Sequence, residues 1–580
     1  MLRSFVLLLI VLKWFTNAAP SNNGPLVETA LGKIRGIFKE HAGKTVRAFL
    51  GVPYAKPPVG DLRFQPPQPI TEPWRELNAQ NLAKSCYQTP DTYFPGFRGS
   101  EMWNAPTELS EDCLNMNIWV PENPDGTVLV WIFGGGFFSG SPSLDLYDGT
   151  VLAATTGATV VNINYRLGPF GFLYLGKGSK APGNMGLLDQ QAALKWIHEN
   201  IRSFGADPSQ VTLIGESAGA ASATAHLSAP DSYPYFSKVV ANSGSMIHPW
   251  ATRPAAVMLQ LSMKLAKKLN CAPDGANADS IHACLAKASA EDIQAQNDEI
   301  WNEVGQIMSF PFVPILDDEN FFKGSLHKNL NDRNMKKDAS VIIGAVKDEG
   351  TFWLPYYLSG SGFTFNETVD ANSEVNSAFL DEQQYKDSVN SFISYFGNSS
   401  KAEEILQNAY KDVSPEKELK LRLRDGVAQL MGDAFFTCSV KEYADVLGNN
   451  LEGKVYTYYF TRRSSANPWP KWMGVMHGYE IEYEFGLPFR NSSLYDENQL
   501  ADEQKVSKHF MDLISSFAKT GTPANYWPPY IGNGGKWLVI DASSSTGDAH
   551  KLTQDVHSKG CSAINQAKEA ALEYYKTRES

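Results

Sequence analysis

The chain has 580 residues, 43% hydrophobic and 20% charged, a balance that excludes a disordered chain and a multi-pass membrane protein. Its 51 Lys and Arg are outnumbered by 63 Asp and Glu, giving a net charge of −12, so its field draws in cations and nucleic acid is excluded as a partner. Aromatics reach 12%, with 13 Trp, which can fill a core or line a pocket for a cation or an apolar ligand.

In chain order, Arg3 precedes an apolar run from Phe5 to Leu12, and the small residues Ala18 and Ala19 follow. This pattern predicts a secretory signal peptide over residues 1–19. The run is too short for the ~30 Å hydrocarbon layer, and Lys13 interrupts it. No later stretch is apolar enough to span a membrane, so no transmembrane anchor is expected. The tail from Glu569 is polar. Without a Gly/Ser or Pro-rich linker, residues 20–580 read as a single domain.

Apolar, β-branched runs follow at Val128–Phe133, Thr159–Ile163, Val211–Ile214, Val239–Ala241, Val341–Val346 and Val455–Phe460. Helical patterns lie between several of them, most clearly from Gly186 to Phe204. Continuous apolar strands alternating with helices predict an α/β fold with a large, mostly parallel central sheet and helices on both faces. Ligands on such sheets bind beyond the carboxyl ends of the strands.

The six cysteines, Cys86, Cys113, Cys271, Cys284, Cys438 and Cys561, are an even set in a chain expected to be secreted and suggest disulfides; spacing alone does not fix the pairing. Zinc ligation is the rival reading, but no C-x-x-C or paired histidines support it, and no metal or cofactor is expected. Sequons at Asn366, Asn398 and Asn491 are candidate glycan sites.

Three strand ends carry candidate chemistry. The strand Val128–Phe133 ends in Gly134-Gly135-Gly136, where successive glycines let backbone N–H groups of Gly135 and Gly136 point into a site. With the N–H of Ala218 they can form an oxyanion hole, each donor being worth ~2.7–4 kcal/mol in an acyl-transfer transition state. A phosphate-binding loop is the competing reading, but no Gly-Lys-Ser/Thr follows. The strand Val211–Ile214 runs into Gly215-Glu216-Ser217-Ala218-Gly219, a G-x-S-x-G between strand and helix that exposes a nucleophilic serine on a sharp turn. A serine hydroxyl needs a base, and the base an orienting acid. The strand Val341–Val346 ends in Lys347-Asp348-Glu349-Gly350; by position either Asp348 or Glu349 can serve as the acid. His477, in the glycine-flanked loop Gly474–Gly478, fits the chain order nucleophile, acid, histidine.

With GGGFFSG, GESAGA, EDCLNMNIWVP (Glu111–Pro121), KDEG and MGVMHGYE all in the right order, the chain resembles the cholinesterase and type-B carboxylesterase family of α/β-hydrolases from about Leu26 to Lys559. The resemblance implies a triad of Ser217, Glu349 and His477. It also implies disulfides Cys86–Cys113, Cys271–Cys284 and Cys438–Cys561. Gly99-Ser100-Glu101-Met102-Trp103 resembles the choline-binding motif of the cholinesterase branch. A quaternary ammonium cannot donate hydrogen bonds, so an aromatic face is its natural partner. The same likeness implies Glu216, Tyr147, Phe352 and Tyr479 in the choline site, Trp250, Met308 and Phe310 in the acyl pocket, and Asp91, Trp301 and Tyr356 near the mouth. The implied reaction is hydrolysis of acetylcholine through an acyl-enzyme.

Departures from the pattern are informative. Met308 replaces a usual phenylalanine and is flexible, which predicts tolerance of larger acyl chains. Thr89 and Phe138 stand where vertebrate relatives carry mouth tyrosines, which predicts weaker binding of ligands at the rim. The stretch Ile564–Glu569 is polar and no cysteine follows Cys561, which predicts a secreted monomer or weak homodimer. The rival functions are a broad carboxylesterase without choline preference and a non-catalytic, neuroligin-like adhesion protein; Trp103, Glu216 and Asp91 speak against the first, and the intact Ser217, Glu349 and His477 against the second.

Overall fold

The computed structural model describes residues 23–541 and 551–579; the expected signal peptide lies outside the described residues. Eleven strands form the main sheet. They are β1 (Ile37–His41), β2 (Lys44–Pro53), β3 (Asn115–Pro121), β4 (Val128–Ile132), β5 (Thr159–Ile163), β6 (Val211–Glu216), β7 (Lys238–Asn242), β8 (Ser340–Val346), β9 (Val455–Phe460), β10 (Trp537–Ile540) and β11 (Leu552–Thr553). Their spatial order is β11-β10-β9-β8-β7-β6-β4-β5-β3-β2-β1. From β5 through β4 and β6 to β10 every neighbour is parallel; β1, β2, β3 and β11 close the edges antiparallel.

Every residue of β4, β5 and β6 is buried, as expected of parallel strands covered on both sides. The expected helix between β5 and β6 is α1 (Met185–Asn200), continued by a 3-10 turn to Phe204, and the elbow helix is α2 (Ala218–His226). Helices α3 (Ala290–Val304), α4 (Ser400–Tyr410) and α5 (Ser558–Glu579) cover the loops beyond. One apolar core runs through the sheet and these helices. Among the described residues no helix is long and apolar enough to cross a membrane.

The three disulfides are Cys86–Cys113, Cys271–Cys284 and Cys438–Cys561. The last ties α5 to the body. The C-terminal stretch differs from the expectation of an all-polar segment. Ala563, Ile564, Ala567, Ala570 and Ala571 are buried, their three- and four-residue spacing making one apolar face, and α5 packs on α4.

Parallel β4 lies between β5 and β6, so the chain departs to both sides of it. That reversal opens a crevice at the carboxyl ends of β4 and β6, where the glycine loop and Ser217 both emerge.

Candidate active site

Ser217 follows β6 with φ 57° and ψ −123° and heads α2. Its N–H donates to the carbonyl of Asn242, at the end of β7 (2.8 Å). The flanking glycines are required by close approach. A Cβ on Gly219 would lie 1.9 Å from the Ile132 carbonyl oxygen, and one on Gly215 would lie 2.3 Å from the Gly219 backbone. A side chain on Gly215 would force α2 away from β6, and one on Gly219 would force α2 away from the end of β4.

The loop after β4 is propped from β5. Tyr165 stacks on Phe133 at 4.5 Å and its hydroxyl donates to the Phe133 carbonyl (2.8 Å). Gly135 and Gly136 take φ values of 110° and 58°. The Gly135 carbonyl accepts from the N–H groups of Phe138 and Ser139, both at 3.0 Å, while no acceptor takes the N–H groups of Gly135 and Gly136 among the described residues. Ala218 is the first residue of its helix, so its N–H has no intrahelical acceptor either.

Of the two candidate acids, Glu349 is the one that meets the histidine: His477 Nδ1 lies 2.7 Å from Glu349 Oε2. The second oxygen of Glu349 accepts from the Val346 N–H (3.0 Å). Asp348 has a different task. Its carboxylate accepts from the Val475 N–H (2.8 Å) and its N–H donates to the Val475 carbonyl (2.9 Å), fastening the loop that carries His477. A Cβ on Gly474 would strike that carboxylate at 2.1 Å.

Among the described residues His477 Nε2 makes no hydrogen bond, and Glu216 Oε1 lies 3.0 Å from it as a charge contact. Burial opposes a charge on the ring, but the carboxylates of Glu216 and Glu349 outweigh it and push His477 up to about 10. Behind it, burial together with Glu216 and Glu349 pushes the Glu480 carboxyl well above the usual range, and among the described residues neither of its oxygens has a hydrogen-bond partner. Burial likewise raises Glu484 to about 8, against the Asn242 amide that favours its charged form.

Ser217, Glu216, His477, Gly134 and Gly135 open into one cavity of about 680 Å³, walled by Trp103, Tyr147, Phe352 and Tyr356 and reaching Asp91 and Trp301 at its outer end. Trp103 meets Phe352 and Tyr479 edge-on at 6.4 and 6.3 Å; Tyr479 is buried behind the wall. Gly478 makes the junction possible, since a Cβ there would sit 3.0 Å from the Trp103 ring. The Tyr356 hydroxyl donates to Asp91 Oδ2 (2.7 Å). Met308, Phe310 and Trp250 are buried and do not line the cavity. Met308 therefore has no surface through which its flexibility acts directly on a ligand.

Tyr93 and Trp353 line the cavity and were not expected from the sequence. Tyr93 is 52% exposed and leans on Tyr356 at 5.4 Å, so the rim keeps an aromatic face despite Thr89 and Phe138. Trp353 stacks on Phe436 at 6.1 Å and lies 5.6 Å from His477. Both neighbour an expected residue in sequence, Asp91 and Phe352, but no motif marks them.

Of the sequons, Asn398 is exposed, and Asn366 and Asn491 are half-buried. The side-chain oxygens of the latter two accept from the hydroxyls of Thr368 (2.6 Å) and Ser493 (3.0 Å).

Residues 23–559 match the profile of the carboxylesterase family. The chain is 40% identical to acetylcholinesterase 4 of Caenorhabditis briggsae over 571 residues, covering 93% of this chain and 90% of that protein. It is 38% identical to the cholinesterase of Mus musculus over 529 residues, covering 90% of this chain and 84% of that protein.

Proposed function

The chain belongs to the carboxylesterase family, and from that premise we propose how Ser217, Glu349 and His477 divide the work of hydrolysing acetylcholine. The protein is a serine carboxylic ester hydrolase of the cholinesterase type. His477 removes the proton from the Ser217 hydroxyl, whose oxygen attacks the ester carbonyl. The N–H groups of Gly135, Gly136 and Ala218 receive the oxyanion. The carbonyl re-forms, the choline oxygen takes the proton from His477, and an acetyl ester of Ser217 remains. Water, deprotonated by His477, then releases acetate and regenerates the serine. Glu349 holds the imidazole by Nδ1, which leaves Nε2 free to take the serine proton, and stabilises the imidazolium formed in each half-reaction. The quaternary ammonium rests on Trp103, where cation–π attraction is worth ~2 kcal/mol or more once water is excluded, with Glu216 adding its charge.

The observation that carries this reading is the 2.7 Å contact between His477 and Glu349 in a cavity shared with Ser217 and Trp103. Replacing Ser217 by Ala should cut acetylthiocholine turnover by roughly four orders of magnitude or more and abolish labelling by an organophosphate, with the fold intact; turnover within tenfold of the parent defeats the assignment. The same reading takes the protein as a secreted, glycosylated monomer or weak homodimer, with residues 20–580 as one catalytic domain. Sedimentation of protein from a secreting host as a stable tetramer would refute the oligomeric part.

A further inference from the structure

We propose that Phe138, a ring carried by the oxyanion loop itself, sets the length of acyl chain the enzyme accepts; this rests on the esterase reading above. Three rings meet beside the proposed oxyanion donors. Phe138 lies 4.3 Å from Trp301 and 4.9 Å from Phe310, and Trp301 lies 5.7 Å from Phe310. Phe138 and Trp301 face the cavity; Phe310, which packs on both, is buried and outside the lining, as are Met308 and Trp250. The expected acyl pocket is thus closed on the cavity side.

The closure abuts the donor loop directly. A Cβ built on Gly136 would fall 2.5 Å from Phe138 Cε1 and 3.0 Å from Phe310 Cε2. Both rings therefore press on the Cα of a residue whose N–H is assigned to the oxyanion. A carbonyl oxygen seated on that N–H brings its first acyl carbons toward these rings.

The wall behind cannot yield easily. Arg253 Nε donates to the Phe310 carbonyl (3.0 Å) and its Nη2 to the Ser309 hydroxyl (2.6 Å). The Tyr395 hydroxyl donates to the Ile307 carbonyl (2.5 Å). The backbone on either side of Met308 is thereby fastened, and Met308 itself is held at φ 52°. Phe138 is different: it is half-buried, and its side chain is held by ring contacts alone. An acyl group longer than acetyl must displace the Phe138 ring before it reaches Phe310 or Met308.

The test compares acetyl-, propionyl- and butyrylthiocholine on the full chain and on Phe138→Ala, Phe138→Leu and Met308→Leu. Phe138→Ala should raise the butyryl-to-acetyl ratio of kcat/KM about tenfold or more, the scale expected when a pocket gains room for added methylenes. Phe138→Leu should raise it less. Met308→Leu should leave it within about twofold, because the volume is conserved behind a closed wall. Inhibition by tetramethylammonium, read at the Trp103 face, should not move with the ratio. A ratio changed less than twofold in both Phe138 variants, or an equal change in Met308→Leu, overturns the proposal. Should Phe138→Ala fail to fold, the Leu variant decides by itself. An unmodified enzyme that turns over none of the three thioesters would sink the esterase reading instead, so the two failures are distinguishable.

Discussion

At Ser217 the backbone occupies φ 57° and ψ −123°, a conformation that costs a non-glycine residue ~1–3 kcal/mol. The surrounding structure over-determines it: the Asn242 carbonyl holds the N–H, and the glycines on either side leave room only for this turn. The same residue-scale logic governs His477. Its two carboxylate neighbours hold a proton that a general base must shed, so turnover should rise with pH as the ring is released. A bound ammonium shares the charge of Glu216 and lowers its hold on the ring. The acidic limb of kcat should therefore lie below that of kcat/KM, which reports the free enzyme. Glu216→Gln removes one of the charges raising the ring, so the kcat/KM limb should move to lower pH by about one unit or more. A pH profile of the variant checks this; a limb that stays in place or moves upward contradicts the electrostatic assignment. The same pairing bears on stability. The folded value near 10 lies above the ordinary 6.5, so its contribution is complete below pH 6.5 and is lost as pH rises through 10.

At the scale of elements, strands β4 to β9 were legible because each is a short run dominated by apolar and β-branched residues, as a sheet covered on both faces demands. The antiparallel edge was not. β1 alternates half-buried and exposed residues (Ile37–His41), and β3 mixes Asn115 and Asn117 among its apolar residues, with those amides buried by tertiary partners. Asn117, for instance, accepts from the N–H groups of Gly51 and Ala83 (3.0 and 2.9 Å). The helical face of α5 was hidden by its alanines, which carry little hydrophobic signal individually. That element is tied down by Cys438–Cys561. Replacing both cysteines by Ser should cost about 2–5 kcal/mol, read as a lower urea midpoint, and should expose α5 to protease before the sheet unfolds. A second tie lies at the end of β5, where Arg166 meets both oxygens of the fully buried Asp189 at 2.7 Å. Asp189→Asn strands a buried guanidinium and should destabilise by about 3–5 kcal/mol. An unchanged unfolding midpoint would mean the charge is solvated, against its burial.

For the whole molecule, an excess of acid groups surrounds a cavity whose outer end carries Asp91 and Asp298 and whose floor carries Glu216. A cation is drawn toward such a field, and salt screens it over ~8 Å at physiological ionic strength. The kcat/KM for acetylthiocholine should fall as salt rises, while that for an uncharged ester of similar size should not. Equal slopes would remove the field from the account. The cavity also shows where sequence reading stops. The triad, the glycine loop and Trp103 each sit in a motif with its own local logic. The meeting of Phe138 with Phe310 and Trp301 is set by how α3 and its following loop lie across the oxyanion turn, and no local pattern encodes it. For the same reason Trp353, pressed between Phe436 and the cavity, passes unmarked beside Phe352.

Neighbouring β4 and β6 are hydrogen-bonded in register, Ile132 opposite Gly215. The glycine loop and the nucleophile thus ride on one shared chassis, and a shear of the sheet carries them together. His477 arrives on a separate loop, beyond β9, moored by side chains of Asp348, Thr351 and Arg463. Heat should therefore silence the catalyst by unmooring its proton carrier, leaving the seat for the scissile bond intact until the sheet itself melts.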